Sequence, residues 1–247
     1  MLNNLQREAW YIGNLAGVPI FLHWSAFVLV LMVWGGSSGG GVEYILLVLI
    51  ALIVAVILHE LGHGLMAKAL GAFGITITLW AFGGLCSSRR NSERIGREIA
   101  IVAAGPAVSL ALWLGSGIAF EQLRIHSPGV LVGPQGLSLL GQGLLISEMV
   151  NKSLFIFNMM PIFPMDGGQL IYFSAIAVTR NQTLARQISL FLAVFGSLAF
   201  FMWRTGLIEV LRNGGNAGQW VGSLGFADVF LAVLLGMMVR SAFAYLR

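Results

Sequence analysis

The stretch from Tyr44 to Leu58, YILLVLIALIVAVIL, carries no charge and runs without a break into HELGHGLMAKALG, which ends at Gly71. A run of this length and character is long enough to enter a bilayer, where the backbone can satisfy its own polar groups only as a helix or a closed barrel. It is therefore expected to be a membrane helix with His59, Glu60 and His63 at its inner end. Positions four apart share a helix face, so His59 and His63 can aim imidazole nitrogens at one metal ion, with Glu60 beside it. The spacing suits a zinc hydrolase in which two neutral histidines hold the metal and the neighbouring carboxylate takes a proton from the attacking water. A third protein ligand must come from elsewhere, and the fourth position must stay open. Gly62 and Gly64 flank the second histidine and leave room for another backbone or a substrate. HExxH fixes only three positions and occurs by chance on soluble helices. Ionisable groups near membrane depth cost about 2.5–3.5 kcal/mol each, so three together imply a purpose.

Composition supports the membrane assignment: 57% of the 247 residues are hydrophobic and 10% charged, against about 45–50% and 25% in an ordinary soluble domain. Apolar runs cover the whole length, so one compact domain, 1–247, is expected. No basic stripe with interleaved aromatics is present, which argues against nucleic acid. The single cysteine, Cys86, reads as a small buried residue, and no cleavable signal peptide is visible.

The fold class expected is an all-α polytopic membrane protein with about six spans and a short β-hairpin or edge strand at about 72–87. The first span runs from Val18 to about Trp34, with His23 and Trp24 read as interfacial rather than metal-binding, and GGSSGGG at 35–41 is a flexible turn. The second is the metal helix. After it, Ile75, Ile77 and Leu79 alternate with Thr76, Thr78 and Trp80, and Gly83-Gly84 interrupt the run, which marks strand or hairpin. An open strand edge is not tolerated against lipid, so it must line a cavity or await a partner strand; an interfacial hairpin that merely closes the fold is the alternative.

The third span, Ile99 to about Phe120, opens with small residues, AIVAAGPAVS, read as close helix packing around Pro106. Glu121 to Gln142 reads as a loop holding an ordinary histidine, His126. The fourth span, about Leu144 to Met165, closes with NMMPIFPMDGGQ, where Pro161 and Pro164 must break the helix at membrane depth, a place suited to a polar cavity. Asp166, on the bend beside Gly167-Gly168, is the best candidate for the missing ligand. Ile188 to Trp203 and Phe226 to Tyr245 complete the six. With the amino terminus inside, Arg7, Lys68, Arg89, Arg90, Arg94, Arg97, Arg180, Arg186, Arg240 and Arg247 fall on the inner side against Arg124, Lys152, Arg204 and Arg212 outside. That excess places both termini in the cytoplasm and puts HELGH and Asp166 at similar depth.

With HELGH on one membrane helix and NxxPxxPxDGG closing another, the chain resembles the site-2 protease family of intramembrane zinc metalloproteases, in its compact prokaryotic form. The resemblance implies one zinc ion bound by His59, His63 and Asp166, Glu60 as catalytic base, and Asn158 positioning substrate or stabilising the oxyanion. It gives the strand a purpose: holding the substrate as an extended segment along Ile75, Ile77, Leu79, Gly83 and Gly84. The implied partner is a transmembrane protein, such as a membrane-tethered transcription or anti-sigma factor, cleaved near its cytoplasmic end in a prokaryotic cell membrane or a thylakoid-type internal membrane. Ser109 stands where the family often has Asn, read as a packing variation. An inserted PDZ domain or appended CBS pair is not expected. Two rival readings keep the metal: a membrane scaffold with a structural zinc, and a metal transporter using the histidines as a transit site. No oligomeric state follows from the residues.

Overall fold

The computed structural model describes residues 8–28, 30–31, 41–81, 83–90, 94–133, 136–163 and 165–245. They group into two compact units, Met1–Phe157 and Asn158–Arg247.

The first unit begins with strand rather than helix. β1 (Ala9–Leu15) and β2 (Val18–His23) form an antiparallel hairpin whose two linking residues, Ala16 and Gly17, both have positive φ, the geometry that matches the twist of paired strands. The Lys68 ammonium donates to the Ala16 carbonyl and ties this hairpin to the helix that follows. That helix, α1 (Val42–Ala69), crosses over to β3 (Phe73–Trp80), which lies parallel to β2, and β3 turns back into antiparallel β4 (Gly83–Arg89). The strand order is β1-β2-β3-β4.

Two expectations are corrected here. The fold is not all-α with a lone hairpin, because the N-terminal residues extend that hairpin to four strands. The span expected from Val18 starts as β2, since Val18 and Ile20 are drawn into the core facing Ile77 and the β2 backbone finds a ladder on β3. A short apolar run has no periodicity that separates strand from helix, so the distant partner decides. The remainder of that expected span and the GGSSGGG turn include positions 29 and 32–40, outside the described residues. His23, read as interfacial, is 5% exposed.

α1 ends where the sequence allows it to. Gly71, at φ 88°, sends its N–H to the Lys68 carbonyl, and Ala72 sends its own to Ala67. This pair of bonds satisfies the last carbonyls and turns the chain directly into β3. The buried faces of the strands, Val18, Ile20, Ile75, Ile77 and Leu79, pack on Val56, Leu61 and Ala67 of α1 and on Ile101 of α2 (Ile95–His126). α3 (Leu139–Asn158) adds Ile146 and Val150 against Ala55. Between α2 and α3 lie a helical turn at Pro128–Leu131 and a small hairpin pairing Val132 with Leu137. His126 ends α2 instead of sitting in a loop.

In the second unit the chain turns through Pro161 into α4 (Asp166–Thr179), followed by α5 (Gln182–Arg204), α6 (Leu207–Arg212), α7 (Ala217–Ser223) and α8 (Phe226–Tyr245). Ile162 and Phe163 from the turn share a core with Ala193, Leu235, Met238 and Ala242. Among the described residues three helices, α1, α2 and α5, are long and apolar enough to cross a membrane.

Candidate metal centre

His59, Glu60 and His63 are all buried on α1, and their ligand atoms lie within 4.8 Å of one another. The imidazoles are oriented from behind by α2. His63 Nδ1 lies 2.7 Å from the Ile101 carbonyl; a carbonyl only accepts, so Nδ1 carries the proton and Nε2 keeps its lone pair. His59 Nδ1 is 2.9 Å from the Ser109 hydroxyl, which can accept its proton in the same way. The two Nε2 atoms then face each other at 3.2 Å. Two nitrogens at about 2.0–2.1 Å from a tetrahedral zinc would stand about 3.3 Å apart, so the pair fits that ion without rearrangement. Ile101 is adjacent to Val102, whose carbonyl loses its helical donor at Pro106, so the proline interrupts the ladder beside the turn that receives His63.

Glycines shape the rest. A Cβ on Gly105 would lie 2.2 Å from His63 Nε2, so only glycine leaves α2 room for the ring. A Cβ on Gly62 would meet the Ala104 carbonyl at 2.7 Å, which is the close backbone approach that its place beside His63 suggested. On the opposite side β4 covers Glu60: a Cβ on Gly84 would fall 2.2 Å from Glu60 Cγ and 2.8 Å from Oε1. The carboxylate thus lies against bare backbone. Cys86, two residues along β4, has its thiol pushed up to about 12 by burial, with the Glu60 charge raising it further and Arg90 opposing. Burial thus keeps the free thiol protonated at neutral pH.

The strand residues separate into two groups. Ile75, Ile77 and Leu79 are at most 9% exposed and belong to the core, and over Ile77–Leu79 the β3 backbone is paired on both sides, with β2 and β4. No further strand can pair there. Gly83 and Gly84 begin β4, the last strand in the sheet order, whose outer side has no strand partner among the described residues. The edge inferred from the alternating residues is therefore one strand further along.

In the second unit Asp166 is the first residue of α4 and 7% exposed. Gly167 and Gly168 hold it there: a Cβ on Gly167 would lie 2.4 Å from the Met159 carbonyl, and one on Gly168 2.5 Å from the Phe163 nitrogen. The DGG bend is thus a tight fold of chain onto the helix start. Asn158 is the last residue of α3.

Sequence reasoning missed the wall behind the histidines. Ser109, read as packing, is fully buried and bonds a ligand-bearing imidazole, while the Ile101 carbonyl and Gly105 were unassigned. The available signal was the run of small residues around Pro106, which lets backbone and a short hydroxyl reach the rings.

A helix-borne pair of histidines with an adjacent glutamate, set between a second span-length helix and a glycine-led strand, makes a buried cluster that could hold a metal ion. Residues 47–124 match the model of peptidase family M50. The chain is 34% identical over 226 residues to sll0528 of Synechocystis sp., a zinc metalloprotease by name, covering 87% of this chain and 55% of that one. It is 29% identical to the zinc metalloprotease MJ0392 of Methanocaldococcus jannaschii over 75% of this chain and 53% of that one. The solved structure of the site-2 protease from the same archaeon superposes with TM-score 0.57 at 22% identity, covering 94% of this chain and 95% of that one, a likeness of fold. The chain is thus similar to peptidase family M50 over the stretch that carries the histidines, and to a site-2 protease in fold. It spans about half the length of the curated relatives it matches, 55% and 53%.

Proposed function

We propose that this chain is an intramembrane zinc metalloprotease that hydrolyses a peptide bond in or near the transmembrane segment of a membrane-protein substrate, close to the cytoplasmic side. The observation that carries the reading is the pair of Nε2 atoms 3.2 Å apart, each ring held from behind at Nδ1, with Glu60 alongside. His59 and His63 hold the zinc, and Asp166, fixed at the start of α4 by the DGG bend, supplies the third ligand in this proposal. Zinc, when bound, polarises the scissile carbonyl and makes water acidic enough to lose a proton near neutral pH.

The chain's own residues do the remainder. Glu60 takes the proton from the attacking water and returns it to the leaving amine, with Gly84 giving its side chain the room that any Cβ would fill. Asn158 helps hold the substrate carbonyl. A transmembrane substrate hides its carbonyls in its own helical hydrogen bonds and must unwind before it can be cut. The outer edge of β4 replaces those bonds by strand pairing, with Gly83 and Gly84 allowing close approach, while β3 supports the strand from its buried side. The domain is taken to be the whole of 1–247, a multi-pass membrane protein with cytoplasmic termini. The substrate class that fits is a single-span protein tethering a regulator, such as a transcription or anti-sigma factor.

The test is cleavage of tagged single-span membrane proteins by wild type and Glu60→Gln, with bound zinc measured in both. Cutting by wild type alone, with about one zinc per chain in each, is expected. Equal cutting by both proteins, or no retained metal, overturns the reading.

A further inference from the structure

β2 and β3 pair in parallel as far as Leu22 with Leu79, and there the ladder stops because the chain leaves β2 for a turn of 3-10 helix at Trp24–Ala26. Ala81, just past the end of β3, is left with an N–H beyond the sheet and is 9% exposed. That N–H is met by a side chain, donating to the Ser25 hydroxyl at 3.1 Å.

The direction of every proton in this link is fixed. The Ser25 backbone N–H lies 3.2 Å from His23 Nδ1, and since an amide nitrogen only donates, Nδ1 is the acceptor. The Ser25 hydroxyl, 2.7 Å from the same nitrogen, therefore points its proton at Nδ1 and its lone pairs at Ala81. The imidazole proton sits on Nε2, which faces the Glu8 carboxylate at 3.6 Å. His23 is 5% exposed, so the ring is an internal post and the hydroxyl cannot swing to water without leaving both partners.

We infer that His23 and Ser25 form a strut that sets the tip of the β3–β4 hairpin over Glu60. Trp80 pairs with Gly83 across the tip, and the next residue, Gly84, is the one whose backbone lies against the Glu60 carboxylate. A shift of the tip by a fraction of an ångström moves Gly84 relative to that carboxylate and alters the alignment of any strand laid along β4. His23 and Ser25 act through Ala81 and are positioning residues. The inference rests on the protease reading for its effect on turnover, whereas its geometric content stands independently.

The experiment uses the full chain in lipid nanodiscs, comparing Ser25→Ala, Ser25→Thr and His23→Leu with wild type. Deuterium exchange is followed over Trp80–Leu85, and turnover is followed on a tagged single-span membrane protein that wild type cleaves. In Ser25→Ala and His23→Leu, exchange over Trp80–Leu85 should rise about tenfold or more, while α1 exchange and zinc content stay as in wild type. The kcat should fall about tenfold with KM nearly unchanged, because substrate still binds along β4 but its carbonyl is misaligned. Ser25→Thr, which keeps the hydroxyl, should restore both. Unchanged exchange in Ser25→Ala, or a threonine variant as impaired as alanine, overturns the strut. If wild type and Glu60→Gln act alike on every substrate, the protease reading fails, and the exchange data still decide on the strut.

Discussion

The two walls of the metal centre differ in what they offer. The α2 wall is polar and tight: the Ser109 hydroxyl and the Ile101 carbonyl grip the histidines, and Gly105 lets His63 lie against the helix. The β4 wall presents Gly84 to Glu60 with no side chain at all. One wall grips the two imidazoles through their Nδ1 atoms, and the other packs bare backbone against the Glu60 side chain. Substitutions on α2 should therefore change metal binding and activity together, and those near β4 activity alone.

The sharpest contrast comes from Glu60→Gln, which keeps the shape of the side chain and removes its basicity. Loss of about 10²–10⁴-fold in cleavage rate is expected with zinc content unchanged, measured by turnover and metal analysis on the same sample. On the other wall, Gly105→Ala places a methyl where His63 Nε2 lies, so zinc should weaken by about 100-fold or more and activity should fall in step, recovering only at high added zinc. Full zinc occupancy in that variant would break the comparison. Gly84→Ala crowds Glu60 instead; cleavage should drop about 10–100-fold while chelator competition gives the wild-type zinc affinity. A metal loss equal to that of Gly105→Ala would show that β4 supports the ligands too. The smallest effect belongs to Ser109→Ala, about tenfold in zinc affinity, with Ser109→Asn weakening it less if the amide oxygen can take the Nδ1 proton.

The candidate metal-binding residues were legible because their spacing is local. HELGH on a membrane-length helix places His59 and His63 on one face whatever the rest of the chain does, and α1 forms as expected and ends at its glycine. The proline break was legible in kind but not in place: the span expected to reach about Met165 ends at Asn158, and Asp166, read on a bend, starts α4. The β-hairpin at 72–87 was visible from its alternation, although alternation could not say which strand is central. Ile75, Ile77 and Leu79 look like a docking strand in sequence and are sheet core in the structure, because β2 fills the side left open in the one-dimensional reading.

Local sequence thus determined a membrane protein with two histidines and a glutamate clustered on one helix and an acidic residue beside paired glycines, since each depends on helix periodicity, burial cost or a backbone breaker. Tertiary structure alone decided that Val18–His23 is strand, that β4 is the edge, and that Ser109, Ile101 and Gly105 stand behind the histidines. Those outcomes hinge on partners from about 38 to 57 residues away, where a hydrogen bond or a missing Cβ acts only after the backbone has brought the two segments together.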